Sequence, residues 1–235
     1  MKSTNKKLGV FIYAFILFAF VASIIFTAIR IYQAPMTLEV GAINQNIKSD
    51  YYLRFLQCIL GLIGFFLPNI IERKLDIKIP NNMILIYIVF LYCAIILGEM
   101  RNFYYQVKHW DTILHTFSGG MLGSLGFSIV SLLNNSEKIT MKLSPAFVSL
   151  FAFCFAVTLG VFWEVYEFTF DGILGINMQK FMLEDGTQLI GRAALFDTMK
   201  DLIVDMIGAF IVSLSGYFFM NEEKDWLKKR QFKKK

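Results

Sequence analysis

The sequence predicts an all-α fold, a polytopic membrane bundle of six transmembrane helices with both termini in the cytoplasm. Three observations lead there. Of 235 residues, 56% are hydrophobic and only 17% charged, with 25 Phe and 11 Met, a balance foreign to soluble domains. The apolar residues fall in runs that approach or exceed what is needed to cross about 30 Å of hydrocarbon at about 1.5 Å per residue. Most of the 23 Lys and Arg lie in the tails and in alternate loops, which orients such a bundle with its ends inside. One bundle accounts for the length, so residues 1–235 read as a single transmembrane domain. The net charge of +5 sits in tails and short loops, so it speaks to a lipid partner and to a multi-pass place in the cell membrane, not to nucleic acid.

Helix one is expected over 8–29, after Lys2, Lys6 and Lys7. Its apolar run is too long for a signal-peptide core and no small-x-small cleavage site ends it, so it reads as a signal anchor. Helix two is expected over 51–71, with Ser49 or Asp50 as cap and Arg54 snorkelling to the interface. Helix three, over 83–98, follows Pro80 and takes Asn82 as cap. Tyr104, Tyr105 and Trp110 then suit an interfacial belt, and His109 reads as a surface residue. Helix four, over 111–133, carries Gly119 and Gly123 four apart, where another helix can come close. Helix five, over 145–170, is announced by Ser144 as cap and Pro145 at its first position. The connection 171–196, with an Asp185-Gly186 turn, is too apolar for a free linker and is expected to fold back over the outer mouth, partly re-entrant. Helix six is expected over 197–220, and residues 221–235 form a basic cytoplasmic tail that grips anionic lipid. Cys58, Cys93 and Cys154 lie in apolar runs without paired spacing and read as small core residues, not as a disulfide or zinc set.

The candidate polar site comes from the last three helices. Asp197, Asp201 and Asp205 are four apart, so they share a helix face while descending about 12 Å. Asp111 and His115 are one turn apart at the outer end of helix four. Glu164, Glu167 and Asp171 share a face near the outer end of helix five. Asp111 and Asp197 also read as N-caps, and Lys200 as a partner for a nearby acid. Asp201, Asp205, Glu164 and Glu167 resist such readings, because carboxylates in hydrocarbon cost several kcal/mol, about 2 to 7 each, unless partnered, and neither a cap nor a favourable dipole serves them. So many acids cannot all be ionised together: some are protonated or a cation sits among them. One histidine among carboxylates suits an oxygen-preferring divalent cation, Mg²⁺, Ca²⁺ or Mn²⁺, over structural zinc, with His115, Glu164, Asp201 and Asp205 as candidate ligands and a catalytic zinc on one His and two carboxylates as the less expected alternative.

D-T-I-L-H at 111–115, E-V-Y-E at 164–167 and F-D-T-M-K-D-L-I-V-D-M-I-G-A at 196–209 together resemble the YjdF-like family of bacterial membrane-spanning proteins and, more distantly, VanZ-like proteins. Asp205 stands where the VanZ-like pattern has asparagine and Glu167 where it often has glutamine, which favours the YjdF-like branch. The resemblance covers about residues 100–210 and implies a helical protein of the bacterial envelope, with no catalytic residues to carry over. The residues themselves support a pocket that binds a cation or an envelope lipid head group. The alternatives are a metal- or acid/base-assisted lipid hydrolase or transferase and a proton- or ion-coupled transporter. Against an enzyme, no nucleophile motif is present; against a transporter, no inverted repeat and no inner-half acids appear.

Overall fold

The structure is a computed structural model and describes residues 2–36, 47–134, 143–183, 186–222 and 233–234. Among these, six helices are long and apolar enough to cross a membrane. They are α1 (Lys2–Gln33), α2 (Lys48–Lys74), α3 (Asn81–Leu91, continued as a π-helix over Tyr92–Met100), α4 (Trp110–Asn134), α5 (Pro145–Leu174) and α6 (Arg192–Glu222), with a single turn, Phe103–Gln106, before α4. Most of the polar linker at 135–142, Asp185 of the expected turn and most of the basic tail lie outside the described residues. The chain forms two compact units, Met1–Trp110 and Asp111–Lys235.

In the first unit, α1, α2 and α3 bury Ile16, Phe20, Cys58, Phe65, Ile88 and Ile96 against one another. Arg30 donates to the Tyr51 hydroxyl at 3.0 and 3.1 Å, and Arg54 donates to Asn102 Oδ1 at 2.7 Å, so Arg54 is held by a partner as well as by reach. Several helix ends differ from the sequence reading. α1 runs to Gln33 and α2 begins at Lys48, because polar residues continue a helix once its apolar core has nucleated it. Asp50 is not the cap; it lies three residues past Ile47 and accepts that residue's N–H at 2.8 Å. Asn82 is already helical, with Pro80 at the cap position, where its fixed φ of −54° suits the entry. The last nine residues of α3 adopt π geometry, with Arg101 N–H reaching Ile96 C=O at 3.1 Å. That departure has no sequence signal that we can identify.

In the second unit, α4, α5 and α6 pack through Phe127, Val130, Val148, Ala152 and Met220. Ser144 accepts the Phe147 N–H at 3.2 Å with Pro145 beside it, the cap the sequence announces. The decisive packing is between α4 and α6. A Cβ on Gly208 would run into the Thr116 carbonyl, and one on Gly119 into the Asp205 carbonyl. Only glycine at both positions lets these backbones come so close. Gly123, also expected at a close contact, has only ordinary van der Waals room at 3.6 Å. Apolar residues on the outward faces, such as Phe162, Phe168, Phe210 and Phe218, are exposed, as a lipid-facing surface requires. Cys154 is exposed among them and so is not a core residue, whereas Cys58 is buried; all three cysteines are free.

Among its described residues, the connection between α5 and α6 is a short hairpin with no helix of its own. Gly175 ends α5 in the left-handed region, φ 64°, with its N–H on Asp171 C=O at 3.0 Å. The chain then forms a small antiparallel hairpin, Met182 bridging Gln188 and Leu189 N–H bonding Phe181 C=O at 2.9 Å. Asp171 anchors its start by accepting from Met178 N–H at 2.7 Å and Gln179 N–H at 2.9 Å.

Candidate functional site

The site grows from two helix faces that the glycine contact brings together. On α4, Asp111, His115 and Ser118 lie at i, i+4 and i+7. On α6, Asp197, Asp201 and Asp205 repeat every four residues. Asp201 and Asp205 are 2% and 3% exposed, so they point into the unit and not to lipid. Asp205 is the inner anchor. Its Oδ2 lies 3.2 Å from His115 Nδ1, and its Oδ1 lies 2.8 Å from the Ser118 hydroxyl, which also reaches the His115 carbonyl at 2.8 Å. An ionised carboxylate only accepts, so the ring hydrogen belongs on Nδ1 and Nε2 faces the other way.

What Nε2 faces is a pair of carboxylate oxygens at more than hydrogen-bonding distance. Asp111 Oδ1 is 3.7 Å away and Asp201 Oδ2 is 3.8 Å away. The remaining oxygens of these acids are held by lysines. Lys180 Nζ lies 2.9 Å from Asp111 Oδ2 and 3.3 Å from Asp197 Oδ2. Lys200 Nζ lies 3.2 Å from Asp111 Oδ2, 3.1 Å from Asp197 Oδ1 and 3.3 Å from Asp201 Oδ1. Burial works to lower the Lys180 pKa, but the Asp111 and Asp197 carboxylates outweigh it and hold the ammonium above its usual range.

Two cap readings are therefore corrected. α6 begins at Arg192, which puts Asp197 inside the helix, and there it pairs with both lysines. Asp111 is the second residue of α4 and is likewise ion-paired. The connection adds a second cation, Lys180, to the Lys200 that α6 already supplies. Lys180 was not foreseen as part of the site. The signal was there, since it is the one basic residue between Lys142 and Arg192. Its backbone, at φ 49°, sits in the left-handed region that non-glycine residues rarely adopt. Asp171 on Met178 and Gln179, and Gln179 Nε2 on Thr198 Oγ1 at 2.8 Å, hold it there.

The glutamates divide. Glu167 accepts from Trp163 Nε1 at 2.9 Å, one turn earlier on its own helix, and is hydrogen-bonded there and not to His115. Glu164 is 4% exposed, and neither of its oxygens is in good hydrogen-bond geometry among the described residues, the Thr198 hydroxyl being the donor that acts on it. It lies one turn beyond Gly160, where a Cβ would stand 3.0 Å from Asp205 Oδ2, and the charges of His115, Asp197 and Asp205 act on it. So Asp111, Asp201 and Asp205 gather around His115, Asp197 joins them through the two lysines, Glu164 borders them, and Glu167 has its own donor.

Chemically, the cluster offers an imidazole fixed on one side and open on the other, two carboxylate oxygens beside the open nitrogen, and a rim of two ammonium groups. Such a set can hold a cation, or pass a proton between Nε2 and a polar guest.

The model of the DUF2238 family, described as predicted membrane proteins, matches residues 12–222. The chain belongs to this family. The match spans all six long helices and so takes in every residue of the cluster. The chain is also similar to an uncharacterized protein of Thermotoga maritima, 30% identical over 156 residues, which are 66% of this chain and 72% of that one. No solved structure matches.

Proposed function

We propose that the protein is a bacterial cell-membrane protein whose carboxylate–histidine pocket binds a cation, or a cationic or hydroxylated envelope lipid head group. The observation that carries this reading is Glu164. A buried carboxyl group with neither oxygen in a good hydrogen bond costs about 1 to 3 kcal/mol, and a positively charged or hydroxyl-bearing guest offsets that cost. The excess of acids over Lys180 and Lys200 points the same way. In this reading the chain is one transmembrane domain with a basic cytoplasmic tail, and the distribution of Lys and Arg turns the pocket to the outer leaflet. The YjdF-like resemblance of its motifs agrees with an envelope role; nothing further is taken from VanZ-like proteins.

The test is thermal unfolding of the detergent-purified protein after chelation. Divalent chloride salts, short-chain phosphatidylethanolamine and short-chain glycosyl diacylglycerol are then added one at a time. A ligand at a hundred times its Kd stabilises by about 2.7 kcal/mol. At least one of them is expected to stabilise the wild type and not Asp201→Asn. If none does, the pocket reading fails.

A second reading, acid/base chemistry on a lipid, rests on the His115–Asp205 pair, which fixes the ring as a general base is fixed. Turnover of a radiolabelled envelope lipid extract by the pure protein, lost in His115→Gln, would establish it in place of simple binding.

A further inference from the structure

We infer that Asp111, His115 and Asp201 form a binding site for a single divalent transition-type ion such as Zn²⁺ or Mn²⁺, with Glu164 completing its shell and Asp205 positioning His115. This rests on the pocket reading above and names its ligand. The three groups offer one atom each, all within 4.8 Å of one another. Around an ion with bonds of about 2.0–2.2 Å, ligand atoms lie at most about 4.4 Å apart, so a small inward movement of these side chains closes the set. The gaps at His115 Nε2, 3.7 and 3.8 Å, are too long for hydrogen bonds and of the size that a shared ion fills.

The lysines decide which ion fits. Lys180 and Lys200 occupy Asp111 Oδ2, and Lys200 lies 3.3 Å from Asp201 Oδ1 as an ion pair without a hydrogen bond. Asp111 therefore has one oxygen to give, and the nearby ammonium makes Asp201 Oδ2 the freer oxygen of that acid. Asp205 is not a ligand, since His115 and Ser118 occupy its two oxygens. The donor set is one nitrogen and two single oxygens; Glu164 on α5 is not among the three groups within 4.8 Å of one another and would add an oxygen only by moving toward them. Calcium wants six to eight oxygens, and magnesium near-octahedral oxygen ligation. A low-coordinate set with an imidazole suits Zn²⁺, and Mn²⁺ fits only where water fills its remaining positions. This revises the ligand set expected from sequence, with Asp111 in place of Asp205, and moves the preference away from Mg²⁺ and Ca²⁺.

Two further observations agree. Four aspartates and a ligating Glu164 against two lysines leave three negative charges, which a dication reduces to one with His115 in the neutral form that binds metal. The Asp205–His115 contact on Nδ1 is the carboxylate–histidine support that ligating imidazoles ordinarily have on their second nitrogen. Glu164 is the independent pointer, a buried acid bordering the cluster with no good hydrogen bond of its own.

The experiment is equilibrium binding of ZnCl₂ and MnCl₂ to the chelated full-length protein in detergent, with Co²⁺ as an absorbing probe and circular dichroism as the check on folding. One ion per chain is expected, with a Co²⁺ ligand-field spectrum that His115→Gln alters and Asp201→Asn abolishes. Asp205→Asn should weaken binding about ten- to a hundredfold, the usual effect of removing such a support. Folded wild type that binds neither ion overturns the inference, as does an Asp205→Asn variant, folded, with unchanged affinity. The Asp205 variant decides the matter even where the ligand variants fail to fold. If the ions fail while short-chain phosphatidylethanolamine still stabilises the wild type, the metal inference falls and the pocket reading stands. If all of them fail, both fall.

Discussion

Removing the Lys180 ammonium while keeping a polar side chain, as Lys180→Gln, tests the cluster as an electrostatic unit. Breaking a fully buried ion pair costs about 3–5 kcal/mol, because one charge is left bare. Two features reduce that figure here. Lys180 is 24% exposed, so water already screens its pairs. Lys200 also touches both of its partners, at 3.2 Å on Asp111 and 3.1 Å on Asp197, so neither carboxylate is abandoned. What remains is about one or two charge-assisted hydrogen bonds, discounted for exposure, or about 1–2 kcal/mol. Lys180→Gln combined with Lys200→Gln should cost more than the sum of the single variants, since only the double variant strips Asp111 of both cations. The sign with pH follows from the raised Lys180 pKa. Its contribution is complete below the unfolded lysine value of about 10.4 and is lost only as pH rises through the folded value above it. The wild type should therefore exceed Lys180→Gln by the same margin from about pH 6 to pH 10. Thermal or denaturant unfolding in detergent measures the margin. No difference at pH 7, strict additivity in the double variant, or convergence of the two proteins near pH 8 would each refute the reasoning.

Three other perturbations address different parts of the structure. Gly208→Ala gains about 1 kcal/mol of helix propensity but drives a methyl into the Thr116 carbonyl, for a net loss of about 1–3 kcal/mol on thermal unfolding; an equal or more stable variant would contradict the α4–α6 contact. Glu164→Met should stabilise the chelated protein, by up to about 1 kcal/mol, because a buried polar group without a good hydrogen bond is replaced by an apolar one of similar size, and should lower metal affinity; a stability loss without metal would mean that Glu164 has a partner in solution. Asp171→Ala frees the Met178 and Gln179 N–H groups, so amide exchange should quicken across 176–182 while α5 stays protected; unchanged exchange would show that Asp171 does not hold the strap.

How much of this could be read from the chain alone depends on the range of the physics involved. Apolar length is local, so all six spans were visible, as was the Ser144-Pro145 start of α5. The four-residue spacing of Asp197, Asp201 and Asp205 is also local, and it placed these acids on one face. Helix ends were less legible, because polar residues such as Arg192 and Lys48 extend a helix without any apolar signal. That error turned Asp197 into a cap when it is a partner for lysine. The division of Glu164 from Glu167 depends on Trp163 lying one turn before Glu167, a pairing that the sequence contains but that rotamer choice decides. Lys180 depends on a strap folded through Asp171 and Gln179, contacts that exist only once α5 and α6 are in place.

Every member of the cluster lies after residue 110, and its two arms come from the fourth and the sixth long helices. During synthesis on the ribosome, Asp111 and His115 emerge well before Lys180, Lys200 and Asp205 exist. The fourth helix is therefore made before the lysines and carboxylates that match its acidic end. Deleting or delaying that final segment should leave the fourth helix poorly integrated as well as incomplete, which makes the end of the chain the step that commits the whole second unit to the membrane.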